Sequence, residues 1–225
     1  MRLKVIGSGS SGNCYILESD TEALVVEAGV NPKFVKKELD YKVSKISGVI
    51  ATHRHRDHIR FLEDYRKMGF VVLNPDYIPE DKMLERSFKF GQFRVKAFKL
   101  THDVPCYGYI IAHPDLGKMV YATDTEIIPY HFKNVNHLLV EANYSIDSLS
   151  EEYEAYGHVL RGHHSIEACC DFLSRHDEPS VQNVVLCHLS ESNGDKELFW
   201  DMASKSFTNV NPKIFIAEKG LEIDV

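Results

Sequence analysis

The segment Thr52-His53-Arg54-His55-Arg56-Asp57-His58 places four metal-binding side chains within six residues. Imidazole nitrogen and carboxylate oxygen are donors of intermediate softness, suited to zinc and equally to manganese or iron. The segment follows Gly48-Val-Ile-Ala-Thr, an apolar run that reads as a buried strand. Alternate side chains of an extended chain share a face, which lets His53 and His55 converge on one ion. Asp57 and His58 fall where the loop turns into a helix, within reach of a second ion. Solvated loop histidines are the bland alternative, and the density of donors argues against it. The chain has 12 histidines in 225 residues, and this cluster accounts for three of them.

A second motif competes for attention. Gly7-Ser-Gly9-Ser-Ser-Gly12 satisfies the glycine fingerprint of dinucleotide-binding folds. That fingerprint needs its last glycine to open a helix whose amides hold a pyrophosphate. Here Asn13-Cys-Tyr-Ile-Leu-Glu follows, which reads as a strand, and TEALVVEAG reads as its hairpin partner. The motif is therefore read as a glycine-rich turn that can still border a phosphate-binding cleft.

The elements that must position these residues alternate in type. Short β-rich runs are expected at Leu3–Ile6, Cys14–Leu17, Ala23–Val26, Gly48–Thr52 and Phe70–Leu73. More are expected at Phe93–Leu100, Tyr107–Ala112, Met119–Thr123, Leu138–Val140, Val184–Leu186 and Ile214–Ala217. Helical spacing predicts helices over Asn31–Leu39, Asp57–Met68, Ser165–His176 and Asp195–Ser206. Strands interleaved with helices imply a layered α/β protein, and the length favours a single domain over 1–225. With 44% hydrophobic and 26% charged residues, the chain is neither disordered nor collagen-like. No apolar run approaches the roughly 18 residues of a membrane span, and MRLKVIGSGS is not a signal peptide, so a cytoplasmic protein without membrane contact is expected. Five cysteines without a CxxC pair, two of them the adjacent Cys169 and Cys170, argue against a disulfide framework and a cysteine zinc ribbon. The net charge of −7 leans away from a partner as long and anionic as genomic nucleic acid.

His-x-His-x-Asp-His behind a buried strand resembles the signature of the metallo-β-lactamase fold hydrolases. The likeness extends over almost the whole chain. It implies an α/β metallo-β-lactamase fold, a four-layer αββα sandwich of two mixed β-sheets flanked by helices. It also implies further ligands: His102 in Lys-Leu-Thr-His-Asp-Val, Asp124 in Tyr-Ala-Thr-Asp-Thr and His188 in Val-Leu-Cys-His-Leu-Ser. In that arrangement His53, His55 and His102 hold one divalent ion, Asp57, His58 and His188 a second, and Asp124 bridges them. A hydroxide between the ions is then the nucleophile, and Asp57 is placed to orient it. Glu27-Ala28-Gly29 stands where the family has Asp-x-Gly, a departure at a carboxylate that normally supports the metal loop.

Two further segments resemble the ribonuclease Z-like phosphodiesterase branch. These are Leu138-Leu-Val-Glu141-Ala-Asn143-Tyr144 and Gly162-His163-His164-Ser165-Ile166-Glu167. The resemblance makes Glu141 the residue that orients a histidine proton donor, His164, with His163 as its rival by one position of register. The start Gly-Ser-Gly-Ser-Ser-Gly-Asn and the late Cys-His-Leu-Ser-Glu-Ser-Asn are similar to a narrower bacterial and phage subgroup. It contains DNA exonucleases and small enzymes that cleave cyclic nucleotides, some of them homodimers. The expected function is thus dinuclear-metal phosphodiester hydrolysis, zinc being the first choice of metal. A cyclic nucleotide or short oligonucleotide is favoured as substrate on the acidic balance. DNA exonuclease is the alternative within the branch, and a glyoxalase II-like thioesterase or lactonase the alternative outside it. Arg54 and Arg56 face either substrate phosphate or solvent.

Overall fold

A computed structural model describes residues 1–149 and 156–225. One mixed sheet holds β1 (Arg2–Gly7), β2 (Cys14–Glu18), β3 (Ala23–Val26), β4 (Ile46–Ile50) and β5 (Val72–Leu73), with β13 (Glu222–Asp224) outside β1. The second runs in order from β6 (Ser87–Phe90) through β7 (Phe93–Leu100), β8 (Cys106–His113), β9 (Gly117–Ala122), β10 (His137–Glu141) and β11 (Asn183–Cys187) to β12 (Lys213–Ile216). In each sheet an antiparallel part gives way to a parallel part, which starts at the β3–β4 pair in the first and at the β9–β10 pair in the second. Helices α1 (Pro32–Glu38), α2 (Arg56–Ile59) and α3 (Leu62–Lys67) belong to the first half of the chain, with α4 (Glu80–Glu85) between the sheets' segments. Helices α5 (Tyr156–Gly162), α6 (Ile166–Ser174) and α7 (Lys196–Lys205) belong to the second.

Side-chain alternation explains the layering. On β2, Tyr15 and Leu17 join the core between the sheets, while Cys14 and Ile16 face the α1 and α3 side with Val35, Leu39 and Tyr65. On β10, Leu139 points between the sheets, while Leu138 and Val140 pack against Phe172 of α6 and Phe199 of α7. Both faces of each central strand are buried, so the strands read as continuous apolar runs rather than as alternating ones. The layers are helix, sheet, sheet, helix, as the resemblance implied. Among the described residues no helix is long and apolar enough to cross a membrane.

Three expectations are corrected locally. The helix expected over Asp57–Met68 is two helices, because Ala28 N–H binds His58 O at 2.7 Å and Phe61 N–H binds Ala28 O at 2.9 Å. Those bonds pin the chain to the end of β3 and break the helix at Arg60. The strand before the histidines ends at Ile50, so His53 and His55 converge from a loop and not by strand alternation. The segment at 80–90, read as featureless, forms α4 and β6. The glycine turn is followed by β2, paired antiparallel with β3, as the rejection of a dinucleotide site required.

Candidate metal centre

The histidine loop, Glu27, Asp124, Glu141 and His188 all lie just past or at the carboxyl ends of parallel strands, where α/β sheets place ligands. Three of these residues hold a left-handed backbone that side chains other than glycine rarely adopt: Glu27 (φ 67°), Asp124 (φ 52°) and His188 (φ 55°). Such strain costs about 1–3 kcal/mol per residue and concentrates at functional sites. Gly29 is needed for a different reason: a Cβ there would lie 1.7 Å from the carbonyl oxygen of Asp57.

The ligating atoms form overlapping groups, each within 4.8 Å: His53, His55 and His102; Asp57, His58 and His188; and His53, His58 and Asp124. The first two are the sets that the resemblance implied, and the third has Asp124 meeting one histidine of each. A fourth group joins Asp124, Glu141, His163 and His188.

The hydrogen bonds show which nitrogens face inward. Thr52 Oγ1 donates to Glu27 Oε1 at 2.7 Å, so it accepts from His53 Nδ1 at 2.9 Å. That tautomer leaves the lone pair on His53 Nε2, a buried atom with no hydrogen-bond partner. His58 Nδ1 lies 3.3 Å from Glu27 Oε1, while its Nε2 lies 3.1 Å from both Asp57 Oδ2 and Asp124 Oδ2. His188 Nδ1 sits 3.0 Å from Glu141 Oε1 and Nε2 3.4 Å from Asp57 Oδ2. His102 Nε2 faces His55 Nδ1 at 3.1 Å, two nitrogens that share a proton or an ion. An outer nitrogen held by a carboxylate or hydroxyl, with the inner one turned to the centre, is the arrangement of metal-ligating histidines. The residues fit divalent ions.

Charge agrees with that fit. Burial and the neighbouring His58 hold His53 well below the usual imidazole range, which keeps its lone pair. Burial opposes charge on His58 and His188, yet Asp124 with Glu27 pushes His58 up, and Asp124 with Asp57 and Glu141 pushes His188 up to about 10. Burial likewise opposes ionisation of Asp57 and Asp124, but the facing histidines hold both well below the usual carboxylate range. The carboxylates thus make a potential strong enough to protonate imidazoles, and a divalent cation is the more favoured occupant of such a potential.

The register of the histidine pair is resolved. His163, not His164, faces the cluster: its Nδ1 is 2.7 Å from Glu141 Oε1 and 3.4 Å from Asp124 Oδ1, and its ring stacks on His188. His164 is fully buried and turns Nδ1 to Glu126 O at 3.2 Å, while its backbone N–H donates to Glu141 Oε2. The Ser165 side chain caps α6 by accepting from Ala168 N, which fixes this register. Burial opposes charge on His163, but Glu141 and Asp124 raise it above its ordinary value, whereas burial lowers His164.

Several contributing residues carry no motif-level signal. Asn13 Nδ2 reaches Asp57 Oδ2 (3.2 Å) and His58 Nε2 (3.0 Å). Asn143 Nδ2 donates to His188 O at 2.7 Å, and Tyr121 OH donates to Glu27 Oε1 at 3.1 Å. Glu27, whose departure from the aspartate pattern left its role open, reaches both the Thr52–His53 pair and His58. Arg54 and Arg56 are exposed.

A fold of two mixed sheets between helices, with a histidine and carboxylate cluster at its strand ends, defines a class, and the comparisons agree with it. Residues 7–133 match the metallo-beta-lactamase superfamily, and the chain belongs to that superfamily of metal-dependent hydrolases. The exodeoxyribonuclease YycJ of Bacillus anthracis is 26% identical over 234 residues, covering 88% of this chain and 86% of its own. The exodeoxyribonuclease WalJ of Streptococcus pneumoniae is 25% identical over 230 residues, covering 88% and 84%. Among solved structures, the metallo-beta-lactamase fold protein YhfI from Bacillus subtilis superposes with a TM-score of 0.73 at 18% identity, covering 99% of this chain and 98% of its own.

Proposed function

We propose that this chain hydrolyses phosphodiester bonds of nucleic acid, with DNA ends as the favoured substrate and two divalent metal ions as cofactors. His53, His55 and His102 hold one ion, and Asp57, His58 and His188 the other, with Asp124 between them. Zinc, manganese and iron all suit this donor set. When bound, such ions lower the pKa of water towards neutrality and withdraw charge from a phosphoryl oxygen.

The observation that carries the reading is the Glu141–His163 pair against the cluster. Glu141 accepts from Nδ1, so the proton for a leaving group is delivered from Nε2. An alkoxide leaves a phosphodiester poorly and gains from that proton, whereas a thiolate leaves a thioester without one. Glu141 also orients His188, which ties proton donor and metal ligand to one carboxylate.

Two observations move the substrate from the small nucleotide favoured on net charge towards DNA. The relatives matched over most of their length are named exodeoxyribonucleases. Residues 31–68 carry ten Lys and Arg against five Asp and Glu in a chain of net charge −7, and Arg54, Arg56 and Arg60 are exposed beside the cluster. A basic stripe of this kind is the electrostatic footprint of nucleic-acid binding. The test offers four substrates with manganese or zinc: linear DNA, covalently closed circular DNA, a cyclic nucleotide and a thioester. Loss of the linear form with the circle intact is expected. Turnover of the cyclic nucleotide alone would restore the smaller substrate, and turnover of the thioester alone would overturn the reading.

A further inference from the structure

The Gly7–Gly12 turn takes no part in the chemistry above, yet it forms one wall of a cleft of about 560 Å³. The opposite wall is the chain that follows His188, and the floor is aliphatic, with Ile6, Val30 and Ile216. Both walls lead to the candidate ligands. Ser8 Oγ accepts from His188 N–H at 2.9 Å, and Gly12 is followed by Asn13, which contacts Asp57 and His58. The cleft therefore opens directly off the metal cluster. Its size is within the roughly 300–1,000 Å³ of small-molecule sites, and an apolar floor with hydroxyls at the rim suits a nucleobase and its sugar.

Past the edge of this cleft stands Phe34 of α1, 37% exposed. Its ring centroid lies 4.9 Å from Lys33 Nζ and 5.1 Å from Lys219 Nζ, and Lys219 also lines the cleft. An exposed ring between two ammonium groups offers a stacking surface for a base and charge for the adjoining phosphates. We propose that the cleft binds the nucleoside next to the scissile phosphate, and that Phe34 with Lys33 and Lys219 binds the nucleotide beyond it. The ligand is a single-stranded nucleic-acid end. The inference rests on the phosphodiesterase reading and deepens it, since a cyclic mononucleotide would fill the cleft without reaching Phe34.

The test is anisotropy of a fluorescein-labelled oligothymidylate with phosphorothioate linkages, bound to the manganese-loaded enzyme. Phe34→Ala should weaken binding by roughly 5- to 100-fold, the range for loss of one base–aromatic stack, and Phe34→Trp should retain it. Lys219→Ala should lower the slope of log affinity against log salt by about 0.7, the value for one single-strand phosphate contact. Wild-type affinity and salt slope in both alanine variants, with bis(p-nitrophenyl) phosphate still hydrolysed by the wild type, overturn the subsite alone. A wild-type enzyme that hydrolyses no phosphodiester overturns the reading beneath it.

Discussion

Two sets of buried histidines in this chain are wired in opposite ways. His176 spends both ring nitrogens on backbone, with Nδ1 donating to Phe172 O at 2.8 Å and Nε2 accepting from Phe132 N at 2.9 Å. His113 accepts from Asp115 N and pairs with Glu22, and His137 is held by Asn183. These rings are satisfied, and they hold strands and helix ends in place. In the cluster, His53, His58 and His188 give one nitrogen to Thr52, Glu27 and Glu141 and turn the other to a shared centre. Burial is the same in both sets. What separates a packing histidine from a candidate ligand is whether its second nitrogen already has a protein partner.

The largest effect that this contrast predicts comes from Asp124, which meets histidines from both ligand sets. Asp124→Ala should lower turnover on the order of 10⁴-fold, since the ions supply several kcal/mol of transition-state stabilisation. Elemental analysis should show metal lost with it. His163→Ala comes next, at roughly 10²- to 10³-fold, within the range of general acid catalysis, with metal content intact. The deficit should grow as the leaving alcohol becomes more basic, measured over a series of aryl and alkyl phosphodiesters. His164→Ala should show no such leaving-group trend, because its ring lies away from the cluster.

Glu27→Asp restores the residue of the resembling pattern but shortens the arm that reaches Thr52 and His58. A roughly 10- to 100-fold loss of metal affinity is expected, read by competition with a chelator. The smallest effect belongs to the packing set and concerns stability. Burial lowers His137 to about 4, below its unfolded value of 6.5. The unfolded chain then binds the proton more readily, so stability is complete above pH 6.5 and falls as the pH drops towards 4. By pH 5 the loss is about 2 kcal/mol, readable as a shift in urea midpoint that His137→Asn abolishes.

The sequence exposes the metal loop because its four donors are contiguous, and the sheet strands because burial on both faces makes them uniformly apolar. Donors scattered along the chain, His102, Asp124 and His188, are legible only through their resemblance to a family pattern. Adjacent histidines are not separable that way. Whether His163 or His164 meets Glu141 depends on where α6 is capped, a backbone matter that Ser165 settles in three dimensions. The left-handed conformations of Glu27, Asp124 and His188 leave no trace in residue type, since glycine would be the usual signal. The break at Arg60 comes from hydrogen bonds to Ala28, more than thirty residues away. The tautomers that aim each ring follow from Thr52 and Glu27 together, which no local window contains.

The central claim is that the inward nitrogens hold two ions that make the site a phosphodiesterase. Metal-free protein titrated with manganese or zinc against bis(p-nitrophenyl) phosphate tests it most directly. Turnover should rise from background and level off at two equivalents of ion per chain. No turnover at any ratio, or hydrolysis of a thioester in its place, would contradict the claim.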